Sequence, residues 1–119
     1  MKKGLKLVDV DMALAFFTGC EQIYFKLVDI FVENQKNLIP LLENKLSDDL
    51  SEAHRLVHSC KGNAKNLGSD LFFEVSRKLE LAILNRDKED IKVCFSQFKE
   101  IFLLVYEELR KIIEANNRF

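Results

Sequence analysis

The residues best suited to chemistry in this chain cluster in one short segment. His54, His58, Lys61 and Lys65 follow one another at steps of three and four, with Arg55 and Gly62 beside them. On a helix that spacing places the four on one strip. Five of these six residues are basic or can become so, and no acid from the same strip interrupts them. A solvated helix face normally mixes both signs, because like charges at i, i+4 repel mildly. A single-sign strip therefore suggests an anion site. Gly62 strengthens this reading. A glycine inside a helix costs about 1 kcal/mol relative to alanine, so it fits best where something must approach the backbone closely.

His58 lies at the centre of the strip. An imidazole with a pKa of about 6.5 offers a neutral, nucleophilic nitrogen near neutral pH. Lys61, one turn on, brings an ammonium to where it would neutralise the oxygens of a phosphoryl group on that nitrogen. The competing account is a surface histidine in an ordinary charged face, and the strip alone does not separate the two. His54 and His58 also have the four-residue spacing of a helical metal pair. Tetrahedral zinc requires more ligands, however, and Cys60 belongs to the inward seam, so no metal site is expected.

The elements that must position this strip are legible as apolar seams. Leu50, Ala53, Val57, Cys60, Ala64 and Leu67 repeat at three and four, which predicts a helix that starts near Ser47-Asp48-Asp49 and stops at Gly68. Ser69 caps the next helix, with Phe72, Val75, Leu79 and Ala82 inward. Asn85-Arg86-Asp87 closes that one, and Asp87 is positioned to cap the last. The last helix carries Ile91, Cys94, Phe98, Ile101, Val105, Leu109 and Ile112, and frays at Asn116-Asn117. Upstream, Val8 to Phe17 reads as a short first helix after an extended lead-in. A long segment from about Cys20 to Lys45 follows, apolar on more than one face, with a kink at Pro40 or a break just before it. The expected fold is all-α, an up-and-down antiparallel four-helix bundle with a short additional N-terminal helix, in a single domain over residues 1–119.

The segment Ala53-His54-Arg55-Leu56-Val57-His58-Ser59-Cys60-Lys61-Gly62-Asn63-Ala64-Lys65-Asn66-Leu67-Gly68 resembles the signature of histidine phosphotransfer domains, which read A-H-x-L-K-G-x-A-x-x-L-G or close to it. His58, Lys61, Gly62, Ala64, Leu67 and Gly68 match, and Leu79-Glu80 has the usual place downstream. Gly4 to Ala15 is similar to the family's opening segment and Tyr24 to Leu42 to its long second helix, so the resemblance covers nearly the whole chain. It implies that His58 is phosphorylated on the ring nitrogen far from the backbone and that Lys61 contacts the phosphoryl oxygens. It further implies that Gly62 lets a receiver domain come close and that Glu80 accepts from the other ring nitrogen and orients the imidazole. Cys60 stands where Leu is common, and Lys65 where a small residue often occurs.

The resemblance also implies the partners. The chain would take a phosphoryl group from a receiver aspartate, in a hybrid histidine kinase or a response regulator, and pass it to another receiver. It would need no cofactor of its own, the Mg²⁺ belonging to the receiver. No P-loop or Gly-rich phosphate fingerprint is present, so the expected role is phosphocarrier and not kinase. Two alternatives remain: a phosphoacceptor module cut from a larger hybrid or chemotaxis-type kinase, and a helical adaptor whose His58 is never modified. Phe16, Phe17, Ile23 and Phe25, with Leu56 near His58, are candidates for a hydrophobic docking patch.

The composition agrees. The 119 residues include ten Phe and are 48% hydrophobic, enough for one core. A net charge of −1 argues against nucleic acid as a partner. Cys20, Cys60 and Cys94 form neither a C-x-x-C pair nor a disulfide framework, and are read as small buried hydrophobes in a reducing compartment. Lys2, Lys3, the stretch from Met12 to Phe17 and Thr18-Gly19-Cys20 faintly resemble a lipoprotein signal. Asp9 and Asp11 fall where its apolar core should be, and the uninterrupted stretch is too short. No run approaches a membrane span. A cytoplasmic monomer is expected.

Overall fold

A computed structural model describes residues 6–117, which form six helices and no strand. They are α1 (Val10–Ala15), α2 (Glu21–Asn34), α3 (Leu38–Asp48), α4 (Leu50–Leu67), α5 (Asp70–Asn85) and α6 (Lys88–Asn116). Residues 1–5 of the expected lead-in, including Lys2, Lys3 and Gly4, lie outside the described residues.

Four of the six starts are set by a side chain satisfying an otherwise unpaired backbone N–H. Asp9 accepts from the Met12 N–H for α1, and Asp49 from Glu52 for α4. Ser69 accepts from Phe72 for α5, and Asp87 from Asp90 for α6. The first helix is shorter than its apolar stretch, because Asp9 begins it and Phe16 and Phe17 have already left it. Asp49 alone separates α3 from α4 and caps both.

The long segment expected from Cys20 to Lys45 is two helices, and α3 runs past Lys45 to Asp48. The break falls at residues 35–37. Pro40 is the third residue of α3, in the first turn, where a missing N–H loses no intrahelical bond.

The predicted α4 seam is inside: Ala53, Val57, Cys60, Ala64 and Leu67 are buried, and Leu50 packs against the core half-buried. On α6 the buried line runs Phe98, Phe102, Val105 and Leu109, with Ile101 and Ile112 only half-buried. Phe102 meets Phe31, Phe72 and Phe98 at centroid distances of 5.8–6.4 Å, so aromatic rings fill the space between α2, α5 and α6. Fully burying such a side chain stabilises by roughly 1.5–3 kcal/mol. Two hydroxyls add directed ties. Tyr24 donates to the Leu67 carbonyl and Tyr106 to the Val32 carbonyl, each at 2.9 Å. Burial pushes the Tyr24 phenol up to about 12, so it stays a neutral donor.

Of the three free cysteines, Cys60 and Cys94 are buried, but Cys20 is exposed ahead of α2 and is not the buried hydrophobe expected. Among the described residues, no helix is long and apolar enough to cross a membrane.

Candidate functional site

The two-residue turn Gly68-Ser69 folds α5 back along α4. Gly68 takes the left-handed conformation, φ +92°, that ends α4. Lys65 then lies 3.9 Å from Asp70, while His58 and Lys61 face Glu80, so the residue numbers run in opposite directions along the pair. That register brings a carboxylate from α5 under the basic strip of α4.

Glu80 is the hub. Its side chain is only 8% exposed, yet three α4 side chains reach it. Lys61 Nζ donates to Oε1 at 2.5 Å. His58 Nδ1 lies 2.6 Å from Oε2, and His54 Nε2 lies 3.2 Å from that same oxygen. Burial disfavours the charged form of Glu80, but the hydrogen bonds from Lys61 and His58 outweigh it and hold the carboxyl below its ordinary value. Glu80 is therefore ionised at neutral pH and acts only as an acceptor. His58 Nδ1, hydrogen-bonded to this acceptor, must carry the hydrogen. For a neutral His58, this leaves the lone pair on Nε2, in a side chain 64% exposed.

The remaining strip residues are also paired, with acids that lie outside the strip. Arg55 binds Glu52 of its own helix, and Lys65 sits near Asp70 and 4.5 Å over the Phe73 ring. Among the described residues Glu80 is the carboxylate that meets the histidines, so that part of the strip is neutralised from across the helix pair. Gly62 faces outward. A Cβ built there meets nothing within 4 Å, so its bare backbone is not required by packing inside the protein.

The predicted residues His58, Lys61 and Glu80 thus converge, with Gly62 on the adjoining open surface. His54 belongs to the basic strip and has the spacing of a metal pair with His58, but the sequence assigns it no contact with Glu80. In the structure its ring stacks near His58, centroids 5.9 Å apart and 20° from parallel, and it shares the carboxylate. The i, i+4 spacing gave the shared face, but the link to Glu80 required the α4–α5 register. Among the described residues no group of three or more side chains is arranged to hold a metal ion. Of the docking candidates, Phe16 and Ile23 are 77% and 51% exposed, while Phe17, Phe25 and Leu56 are half-buried against the core.

A family model described as Hpt domain matches residues 26–115, which include α4, α5 and nearly all of α6. No curated protein and no solved structure matches the chain.

Proposed function

The chain belongs to the Hpt domain family, whose members are phosphocarriers of histidine phosphotransfer in two-component phosphorelays, and on that basis we propose that His58 is its phosphoacceptor. The observation that carries this reading is the polarity of one imidazole. Nδ1 is anchored on a buried carboxylate, and Nε2 is directed away from it on an exposed ring.

The proposed step balances without a base. The Nε2 lone pair attacks the phosphorus of a receiver aspartyl phosphate in line, forming the P–N bond. The P–O bond to the aspartate breaks, and its electron pair leaves on the carboxylate oxygen. The ring keeps its Nδ1 hydrogen and becomes a phosphorylated imidazolium beside the Glu80 carboxylate, which offsets its charge. Return of the phosphoryl group to a second receiver reverses each bond change. Lys61 bonds Oε1 with one of three N–H groups, leaving two for phosphoryl oxygens. Gly62 offers an open approach for the receiver, which brings the Mg²⁺. Catalysis here consists of positioning and charge neutralisation.

In the proposed domain α2 and α3 act as one broken helix, which with α4, α5 and α6 makes the up-and-down four-helix bundle. The proposed role involves no ATP chemistry, no nucleic-acid partner and no membrane partner. In that role the chain is a cytoplasmic monomer, and Phe16 and Ile23 belong to the face offered to the receiver. The test is transfer of acid-labile phosphate from a phosphorylated receiver. Wild type accepts and His58→Gln does not, although both show the same helical circular dichroism. Wild-type acceptance by His58→Gln would overturn the proposal and leave an unmodified adaptor as the better account.

A further inference from the structure

The basic strip of α4 continues beyond the acceptor. His58 and Lys65 are seven residues apart, nearly two turns and about 10 Å along the axis, so both project from one face. Gly62 lies between them and leaves the surface there open. The cations of the strip are engaged to different degrees. Arg55 is forked onto Glu52, and Lys61 is tied to the buried Glu80 carboxylate at 2.5 Å. Lys65 has Asp70 at 3.9 Å, the outer reach of an ion pair, and its side chain is 61% exposed. We propose that Lys65 is a specificity-determining residue for the receiver, pairing with a receiver carboxylate about 10 Å from the phosphoryl-bearing aspartate. This inference rests on His58 being the acceptor.

Two features prepare Lys65 for that contact. Its ammonium is held 4.5 Å over the ring of Phe73, which is itself packed against the core. A long side chain restrained in this way loses less rotamer freedom when a partner takes hold of it. Its present partner also releases it cheaply. Asp70 is the first residue of α5, where the positive end of that helix already favours a carboxylate, and the pair is screened by water.

The geometry sets the occupant. A receiver that brings its aspartyl phosphate in line with His58 Nε2 and rests on Gly62 also covers Lys65, the next outward residue of that face. An apolar cover would strip water from the ammonium without replacing it, whereas a carboxylate compensates. A cation in the same place is repelled, so this one residue admits some receivers and rejects others. Lys65 also stands in the last turn of α4, where a cation favours the helix end on its own account.

The test is isothermal titration of the full chain with a receiver domain from which wild type accepts phosphate. Lys65→Gln should bind about threefold more weakly and Lys65→Glu roughly tenfold, with both losses shrinking at about 1 M salt. Lys65→Arg should retain the affinity, as should Lys99→Gln on the exposed surface of α6. Exposed acids around the receiver's phosphoacceptor are then changed to lysine one at a time. One such change should weaken wild type and restore binding to Lys65→Glu. If Lys65→Glu fails to fold, the same change should leave Lys65→Gln indifferent, which supplies the coupling. Equal binding by wild type and Lys65→Gln would overturn this inference and leave His58 as the acceptor. A loss that salt does not diminish, or that no receiver change alters, would overturn it likewise and reduce Lys65 to a support of the helix end. Acceptance by His58→Gln would instead overturn the acceptor assignment, and with it the placing of the receiver over Lys65.

Discussion

Gly68 and Asp9 meet backbone to backbone: the Asp9 N–H donates to the Gly68 carbonyl at 2.8 Å, and a Cβ on Gly68 would stand 2.6 Å from the Asp9 carbonyl oxygen. The turn that aligns α4 with α5 is thereby also the seat of the segment leading into α1.

Gly68→Ala should be costly on two counts, a left-handed backbone at φ +92° and a clash with an atom that cannot move alone. We expect a loss of about 2–4 kcal/mol in urea denaturation. Gly19 has a similar φ of +81° but open space around it, so Gly19→Ala should cost only about 1–2 kcal/mol. Equal losses for the two variants would show that the Asp9 contact has no energetic weight.

Gly62 should behave in the opposite way. Space is open at its Cβ, so Gly62→Ala should raise stability by up to about 1 kcal/mol through helix propensity. Gly62→Leu should fold equally well, yet bind a receiver at least tenfold more weakly in a titration. Full-strength binding by Gly62→Leu would remove the glycine from the approach path.

Lys61→Ala takes the partner from Oε1 of a carboxylate that is only 8% exposed. The expected cost is about 1–3 kcal/mol of stability. Phosphoryl transfer should slow roughly tenfold or more, with receiver binding retained. Stopped-time transfer assays and isothermal titration separate the two effects.

Glu80 links the site to acid stability. Its folded-state carboxyl lies below the ordinary 4.5, so its contribution is fully present above that value and is lost as pH falls through the lower folded value. Urea midpoints measured downward from pH 7 should therefore drop less steeply below pH 4.5 for Glu80→Gln than for wild type. The same variant should accept phosphate about tenfold more slowly, a neutral amide being the weaker partner for Nδ1.

How much of this was legible beforehand depends on what each residue answers to. The α4 seam and its stop at Gly68 are local matters of period and capping, so the sequence displayed them. His58, Lys61 and Gly62 stood out because their types conflict with an ordinary solvated face. Glu80 was accessible only through family resemblance: nothing in α5 marks it until α4 is laid alongside. The second reason for Gly68, its contact with Asp9, lies 59 positions away in sequence and left no local trace. On α6, steps of three and four permit either Ile101 or Phe102 after Phe98, and the aromatic neighbours on α2 and α5 chose Phe102. Pro40 announced a break, but tolerance of proline in a first turn moved that break back to residues 35–37.

The hydrogen bond between His58 and Glu80 spans 22 residues, all within the hairpin of α4, the Gly68-Ser69 turn and α5. In kinetic terms the site is a local contact. Closing so short a loop carries a small entropic barrier, whereas the Tyr106 tie to Val32 must join positions 74 apart. The cluster of His58, Lys61 and Glu80 should accordingly assemble as soon as that hairpin closes, ahead of the docking of α6 on α2. A chain destabilised in its aromatic core would then lose its lifetime before it lost the shape of its site.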